Sequence, residues 1–174
     1  MSNAMPVIKD LIIPLNVFPH LGSDQSVHEA VGQLFSHTDS ASGKLLFDEL
    51  LVINAQSQYV GRLTIRGILT CYFPTLFDGN QKAIFAGKKE QYTDLSILLE
   101  DSFQAECKRQ GALPVSQFMA PPHKSIKADM HPLHAAEIMM AENETCLPVV
   151  EDQALVGVVR LIDIFRTLAG SCSL

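Results

Sequence analysis

Apolar residues in this chain gather in short runs followed by helical spacing, and this succession of patterns occurs twice. Leu50-Leu51-Val52-Ile53 is a continuous apolar run ending at Asn54, and Tyr59-Val60-Gly61-Arg62-Leu63-Thr64 is a second, interrupted one. Ile65, Ile68, Leu69 and Tyr72 then stand at i, i+3, i+4 and i+7. That spacing is the stripe of an amphipathic helix, so the segment predicts two short buried strands followed by a helix.

A shift of 96 residues, the separation of Gly61 and Gly157, lays Leu155-Val156-Gly157-Val158-Val159-Arg160 on the second strand. Leu161, Ile164, Phe165 and Leu168 repeat the helical stripe position for position, and Cys146-Leu147-Pro148-Val149-Val150 repeats the earlier strand with a one-residue difference in the turn. Upstream, Val27-His28-Glu29-Ala30 resembles Leu133-His134-Ala135-Ala136, each opening a helical pattern after an acidic residue, Asp24 or Asp129. This offset is 106, so the first copy holds ten extra residues between helix and strand. Ser36 to Gly43 has the polar, turn-rich composition of such an insertion. Each copy therefore reads helix, strand, strand, helix, after an extended lead-in around Val17-Phe18 or Phe118-Met119.

Between the copies, Phe73 to Gln91 contains Pro74, Asp78-Gly79-Asn80, Gly87 and Lys88-Lys89 and reads as an irregular connector. Thr93 to Arg109 predicts a further helix, with Leu95, Leu98, Leu99 and Phe103 at helical spacing. Asp94 stands near its start and Lys108-Arg109 at its end, where the macrodipole favours a cation, and Gly111 stops it. At the N-terminus, Met1-Ser2-Asn3-Ala4 reads as a tag-cleavage scar (residues 1–4) ahead of a native start at Met5.

In the second copy, Phe118-Met119-Ala120-Pro121, Ala135-Ala136-Glu137-Ile138-Met139, Leu147-Pro148-Val149-Val150, Val156-Gly157-Val158-Val159 and Asp163 together resemble a CBS domain over residues 115 to 169. The first copy, about 11 to 76, is similar to the same domain more loosely, and a tandem pair of such units is a Bateman module. The resemblance implies an α/β (α+β) fold of two repeats, each a small sheet with flanking helices, packed with pseudo-two-fold symmetry and leaving clefts. On that reading residues 5–76 are repeat 1, 77–110 a connector with a helix at about 93–109, and 111–174 repeat 2. It also implies an adenosine-containing ligand such as AMP, ADP, ATP or S-adenosylmethionine, a homodimer, and control of a separate protein by a stand-alone regulatory module.

In the family so resembled, the ligand signature is Gly, apolar, any residue, Thr or Ser, two residues, Asp. The hydroxyl and carboxylate hold the ribose and nearby backbone receives the adenine. Each copy here keeps half: Gly61 and Thr64 with Gly67 in place of the Asp, then Gly157 and Asp163 with Arg160 in place of the Thr. The resemblance thus makes Asp163, Arg160, Thr64, Pro148 and Met119 the candidate ligand residues, Met119 as an adenine contact. Physical chemistry offers plainer roles beside these. Thr64 reads first as a helix cap, an acid such as Asp163 is favoured in a first helical turn with or without a ligand, and Arg160 paired with Asp163 would close the site to ribose. The alternative function is a ligand-free dimerisation or scaffold module with two degenerate sites.

Composition narrows the field. With 47% hydrophobic and 18% charged residues among 174, the chain belongs with globular proteins that bury a real core, as one domain or two small intertwined halves. A net charge of -6 without any run of Lys or Arg argues against nucleic acid and anionic membrane as partners. No apolar stretch reaches the roughly 18 residues of a membrane span. Cys71, Cys107, Cys146 and Cys172 are too scattered for a CxxC site and no secretory signal precedes them, so a reduced, cytoplasmic setting is expected, with most of the thiols packed as small core hydrophobes.

No enzyme is expected. Ser42-Gly43-Lys44 lacks the upstream Gly of a phosphate loop, and GxGxxG, HExxH and GxSxG are absent. The acidic pairs Asp48-Glu49 and Glu151-Asp152 flank strands at positions that read as solvated edges. His131, His134 and Glu137 have the spacing to present one helix face, but Pro132 sets His131 at the helix start and no further ligand is fixed beside it, so no metal site is expected. No cofactor is required.

Overall fold

The computed structural model describes residues 6–74, 104–152 and 154–172. In chain order these hold a 3-10 turn (Ile8–Leu11), β1 (Ile13–Pro14), β2 (His20–Gly22), α1 (Val27–Ser36), β3 (Glu49–Ile53), β4 (Tyr59–Thr64) and α2 (Ile65–Tyr72). A second 3-10 turn (Val115–Gln117), β5 (Ile126–Lys127), α3 (Pro132–Glu142), β6 (Cys146–Glu151), β7 (Ala154–Arg160) and α4 (Leu161–Ser171) follow. The fold is mixed α/β, with both copies of the repeated strand, strand, helix pattern present. Residues 104–111 are helical and end at Gly111 as expected, while the earlier part of the expected 93–109 helix and most of the connector lie outside the described residues.

The described residues divide into two compact units: His20–Pro121 is one, and the other joins Met1–Pro19 to Pro122–Leu174. In the first, β2 runs parallel to β3 and β3 antiparallel to β4, with an irregularity between Val52 and Ile53. Ser26 starts α1 through a capping box, its hydroxyl accepting from the Glu29 amide at 3.2 Å while the Glu29 carboxylate accepts from the Ser26 amide at 2.7 Å. Leu21, Val27, Leu34, Leu50, Val52, Leu63, Ile68 and Val115 form the core. The insertion is a turn held by Asp39, whose carboxylate accepts from the amides of Ala41 and Ser42 and is thereby lowered in pKa, with Gly43 at φ 67°.

In the other unit the strand order is β1-β7-β6-β5, with β5 parallel to β6 and the remaining pairs antiparallel. Its core contains Ile8, Ile126, Ala135, Met139, Leu147, Val149, Val159 and Ile164. His131 caps α3, its Nδ1 accepting from the Leu133 amide at 3.1 Å, and Pro132 takes the first helical position where its missing N–H costs nothing. Asn143, left-handed at φ 55°, ends the helix.

The lead-ins are exchanged between the copies. Residues 8–14, which precede the first copy, pack on the second: Ile13 pairs with Val158 and Pro14 with Gly157. The segment preceding the second copy packs on the first, where the Ala120 amide donates to the Arg62 carbonyl at 2.8 Å and the Arg62 amide returns a bond at 3.1 Å. The two repeated glycines make this approach feasible. A Cβ on Gly157 would stand 2.2 Å from the Ile13 carbonyl oxygen, and one on Gly61 2.8 Å from both the Ala120 carbonyl oxygen and the Met119 sulfur.

Two expectations are corrected. Glu49 does not stand at a solvated edge: it is 6% exposed, because it opens β3 opposite β4 and its carboxylate meets the Arg62 guanidinium at 3.5 Å. The helical stripes are also split. Ile68 and Ile164 are buried, whereas Leu69 and Phe165 are 41% and 67% exposed, since a helix lying on a small sheet covers a narrower arc than the full stripe. Cys71 and Cys146 pack in the interior as expected, burial pushing the Cys71 thiol up to about 11, but Cys107 is half-buried and Cys172 exposed.

Candidate ligand site

β7 ends at Arg160, whose extended backbone makes it the N-cap of α4, so the strand delivers its last side chain directly beside the first helical turn. Asp163 is the third residue of that helix, where the exposed amides favour a negative charge. The two side chains meet in a bidentate pair. Arg160 Nε donates to Asp163 Oδ2 at 2.7 Å and Nη2 to Oδ1 at 3.2 Å, with the side chains 35% and 28% exposed.

This pair lines an open depression of about 540 Å³, within the size range of small-molecule sites. Across from it run Asp10, Leu11, Ile12 and Ile13, brought there by the pairing of β1 with β7. Arg166, Thr167 and Gly170 complete the lining, each one or two helical turns beyond Asp163 on the same face of α4. The Thr167 hydroxyl donates back to the Asp163 carbonyl at 3.1 Å. The Asp10 carboxylate accepts from the Val7 amide at 3.1 Å, which fixes the 3-10 turn forming this wall.

The corresponding corner of the other unit is built differently. Thr64 Oγ1 accepts from the Gly67 amide at 3.1 Å, so the hydroxyl caps α2. A Cβ at Gly67 would come within 3.0 Å of the Phe118 carbonyl oxygen and 3.2 Å of Leu63 Cδ1. A side chain at this position would therefore need Phe118 and Leu63 to give by a few tenths of an ångström. Met119 lies against Gly61, its sulfur filling the room a side chain there would need.

Of the five sequence candidates, Arg160 and Asp163 come together at one depression, Thr64 and Met119 belong to the other unit, and Pro148 is buried in β6 opposite Val158 without lining the depression. Sequence reading missed Asp10, Leu11, Ile12, Ile13, Arg166, Thr167 and Gly170. The last three carry a legible signal, their spacing from Asp163 along one helix face. Among the described residues no group of three or more His, Cys, Asp or Glu side chains is arranged to hold a metal, and no helix is long and apolar enough to cross a membrane.

Residues 115–170 match the family profile of the CBS domain. Solved structures extend the likeness to nearly the whole chain. A CBS domain-containing protein from Kribbella flavida is matched with a TM-score of 0.68 and 17% identity, over 94% of this chain and 98% of that one. The chain folds as a CBS pair. CBSX2 in complex with AMP is similar with a TM-score of 0.62 at 17% identity, covering 95% of this chain and 98% of that one. The CBS pair of MJ0100, in complex with 5-methylthioadenosine and S-adenosyl-L-methionine, gives 0.60 at 19% identity over 97% and 99%. No curated protein is matched by the sequence. Against this CBS background the depression stands at the half-signature of the second repeat, Gly157 and Asp163, with Arg160 in the hydroxyl position.

Proposed function

We propose that this chain is a non-catalytic regulatory CBS pair that binds an adenosine-containing ligand, AMP, ADP, ATP or S-adenosylmethionine, in the Arg160–Asp163 depression and passes its state to a separate protein. The observation that carries this reading is the depression itself. It combines a carboxylate in the first turn of α4, able to accept two hydrogen bonds from a ribose diol, with the apolar wall of Leu11, Ile12 and Ile13 for a base. The AMP and S-adenosylmethionine complexes of the structural relatives support it. Signalling would follow from population shift: a ligand preferring one arrangement of the protein stabilises that arrangement by about 2.7 kcal/mol at a hundred times its dissociation constant.

Calorimetry and thermal shift with the four compounds test the reading, and at least one is expected to bind. Asp163→Ala is expected to weaken that binding about 10- to 100-fold, the worth of a charge-assisted hydrogen bond. Undiminished binding by the variant would place the ligand elsewhere. The bidentate Arg160–Asp163 contact favours a second reading, the ligand-free scaffold, which gains if none of the four compounds binds.

The partner proposed for the helices is a second copy of the chain. Leu133 and Met140 on α3 and Ile162 and Phe165 on α4 are 61%, 71%, 66% and 67% exposed, an apolar helix surface of the kind that dimer contacts cover. Phe165→Glu is expected to move the protein from dimer to monomer in sedimentation velocity with its fold intact by circular dichroism. Monomeric wild-type protein at high concentration would refute the dimer.

A further inference from the structure

We infer that Glu137 and Arg166 form a reciprocal ion pair across the two-fold axis of the dimer, so that the α3–α4 face of one copy fits the same face of the other in a single register. This rests on the dimer reading above and specifies how the two copies meet. On α3, Leu133, Glu137 and Met140 stand at i, i+4 and i+7 and are all exposed, which sets the carboxylate beside the apolar stripe. On α4, Ile162, Phe165 and Arg166 stand at i, i+3 and i+4 and are likewise exposed. The two helices pack on each other, so their apolar surface is bordered by one charge of each sign.

The other carboxylates on these helices are already engaged. Glu142 meets Lys124 at 2.9 Å, and Asp163 meets Arg160 at 2.7 Å. Glu137 and Arg166 make no ion pair among the described residues, either with each other or with a neighbour. In a single copy both are solvated by water. Covering the apolar surface removes part of that water, and a charge left without a partner in a covered surface is costly. A two-fold axis supplies the partner. If Glu137 of one copy reaches Arg166 of the other, the same symmetry brings the first copy's Arg166 to the second copy's Glu137, and one contact becomes two. A surface of a single sign would repel its own copy, whereas this one carries both. A slipped register sets Glu137 against leucine or against a second carboxylate, so the pair selects the alignment as well as the partner.

Sedimentation velocity on the full chain tests the inference with Glu137→Arg and Arg166→Glu, separately and mixed. Each variant alone juxtaposes like charges twice across the axis and is expected to raise the dimer dissociation constant at least about ten-fold over wild type. An equal mixture of the two is expected to dimerise within about three-fold of wild type, because in the mixed dimer the two introduced charges face each other and so do the two native ones. High salt is expected to narrow the gap between variants and wild type, since exposed charges are screened. Circular dichroism reads the fold of each variant, and a chain carrying both substitutions gives a second measurement, expected to match wild type. A mixture that stays monomeric beside a dimeric wild type would overturn the inference and leave the dimer standing. Rescue of Glu137→Arg by a change at Arg66, the exposed cation of α2, instead of Arg166 would do the same. A monomeric wild type would overturn both.

Discussion

Gly157→Val is expected to lower the stability of the protein by about 3 kcal/mol or more and to detach β1 from β7. Overpacked core positions usually cost about 1 to 3 kcal/mol because a flexible neighbour can yield. Here the nearest atom to an added Cβ is backbone, the Ile13 carbonyl oxygen at 2.2 Å, with Ile12 Cγ2 at 2.6 Å and the Ile13 carbonyl carbon at 3.0 Å. The two Ile13 backbone atoms cannot move unless the strand moves, and moving it breaks the Ile13–Val158 and Pro14–Gly157 register. The same displacement removes Ile12 and Ile13 from the wall of the depression. Chemical denaturation reads the stability loss, and hydrogen exchange at the amides of residues 8–15 reads the detachment. Retained protection of those amides in a stable variant would contradict the packing described.

Ile164→Ala is expected to cost about 2 to 5 kcal/mol, the range for deleting a large aliphatic side chain from a packed interior. Ile164 is fully buried and belongs to the same cluster as Leu147, Val149, Val159 and Met139, so little surrounding structure can collapse into the space. Its position adds a second effect. Ile164 follows Asp163 directly, and anchors the first turn of α4 that holds this carboxylate against Arg160. Gln33, exposed on α1, supplies the contrast: truncation to Ala there is expected to leave stability within about 0.5 kcal/mol. Urea denaturation of the two variants separates a buried anchor from a surface residue.

Much of this fold was legible from periodicity. The duplicated strands and helices stand where the spacing of Ile65, Ile68, Leu69 and Tyr72 and of Leu161, Ile164, Phe165 and Leu168 puts them. Local patterns carry such information because burial repeats every two or 3.6 residues. The exchange of lead-ins was not legible, since nothing local in Ile12-Ile13-Pro14 says which glycine it will cross. Glu49 misled for a related reason: its partner Arg62 is a cross-strand neighbour, visible only once β3 and β4 are in register. At the candidate site, the β7–α4 corner supplied Arg160 and Asp163 from a linear signature, while the opposite wall came from residues 10–13 and left no sequence signal.

The exchanged lead-ins also set an order of assembly. During synthesis Ile13 emerges well before Val158, the residue it must pair with, whereas the described strands of the first unit all lie between His20 and Thr64. At roughly 5 to 20 residues per second, that interval lasts on the order of ten seconds. Residues 8–14 are thus made early and paired late. They wait as an unpaired thread until β7 appears, and the wall of the depression beside Arg160 and Asp163 is finished only then.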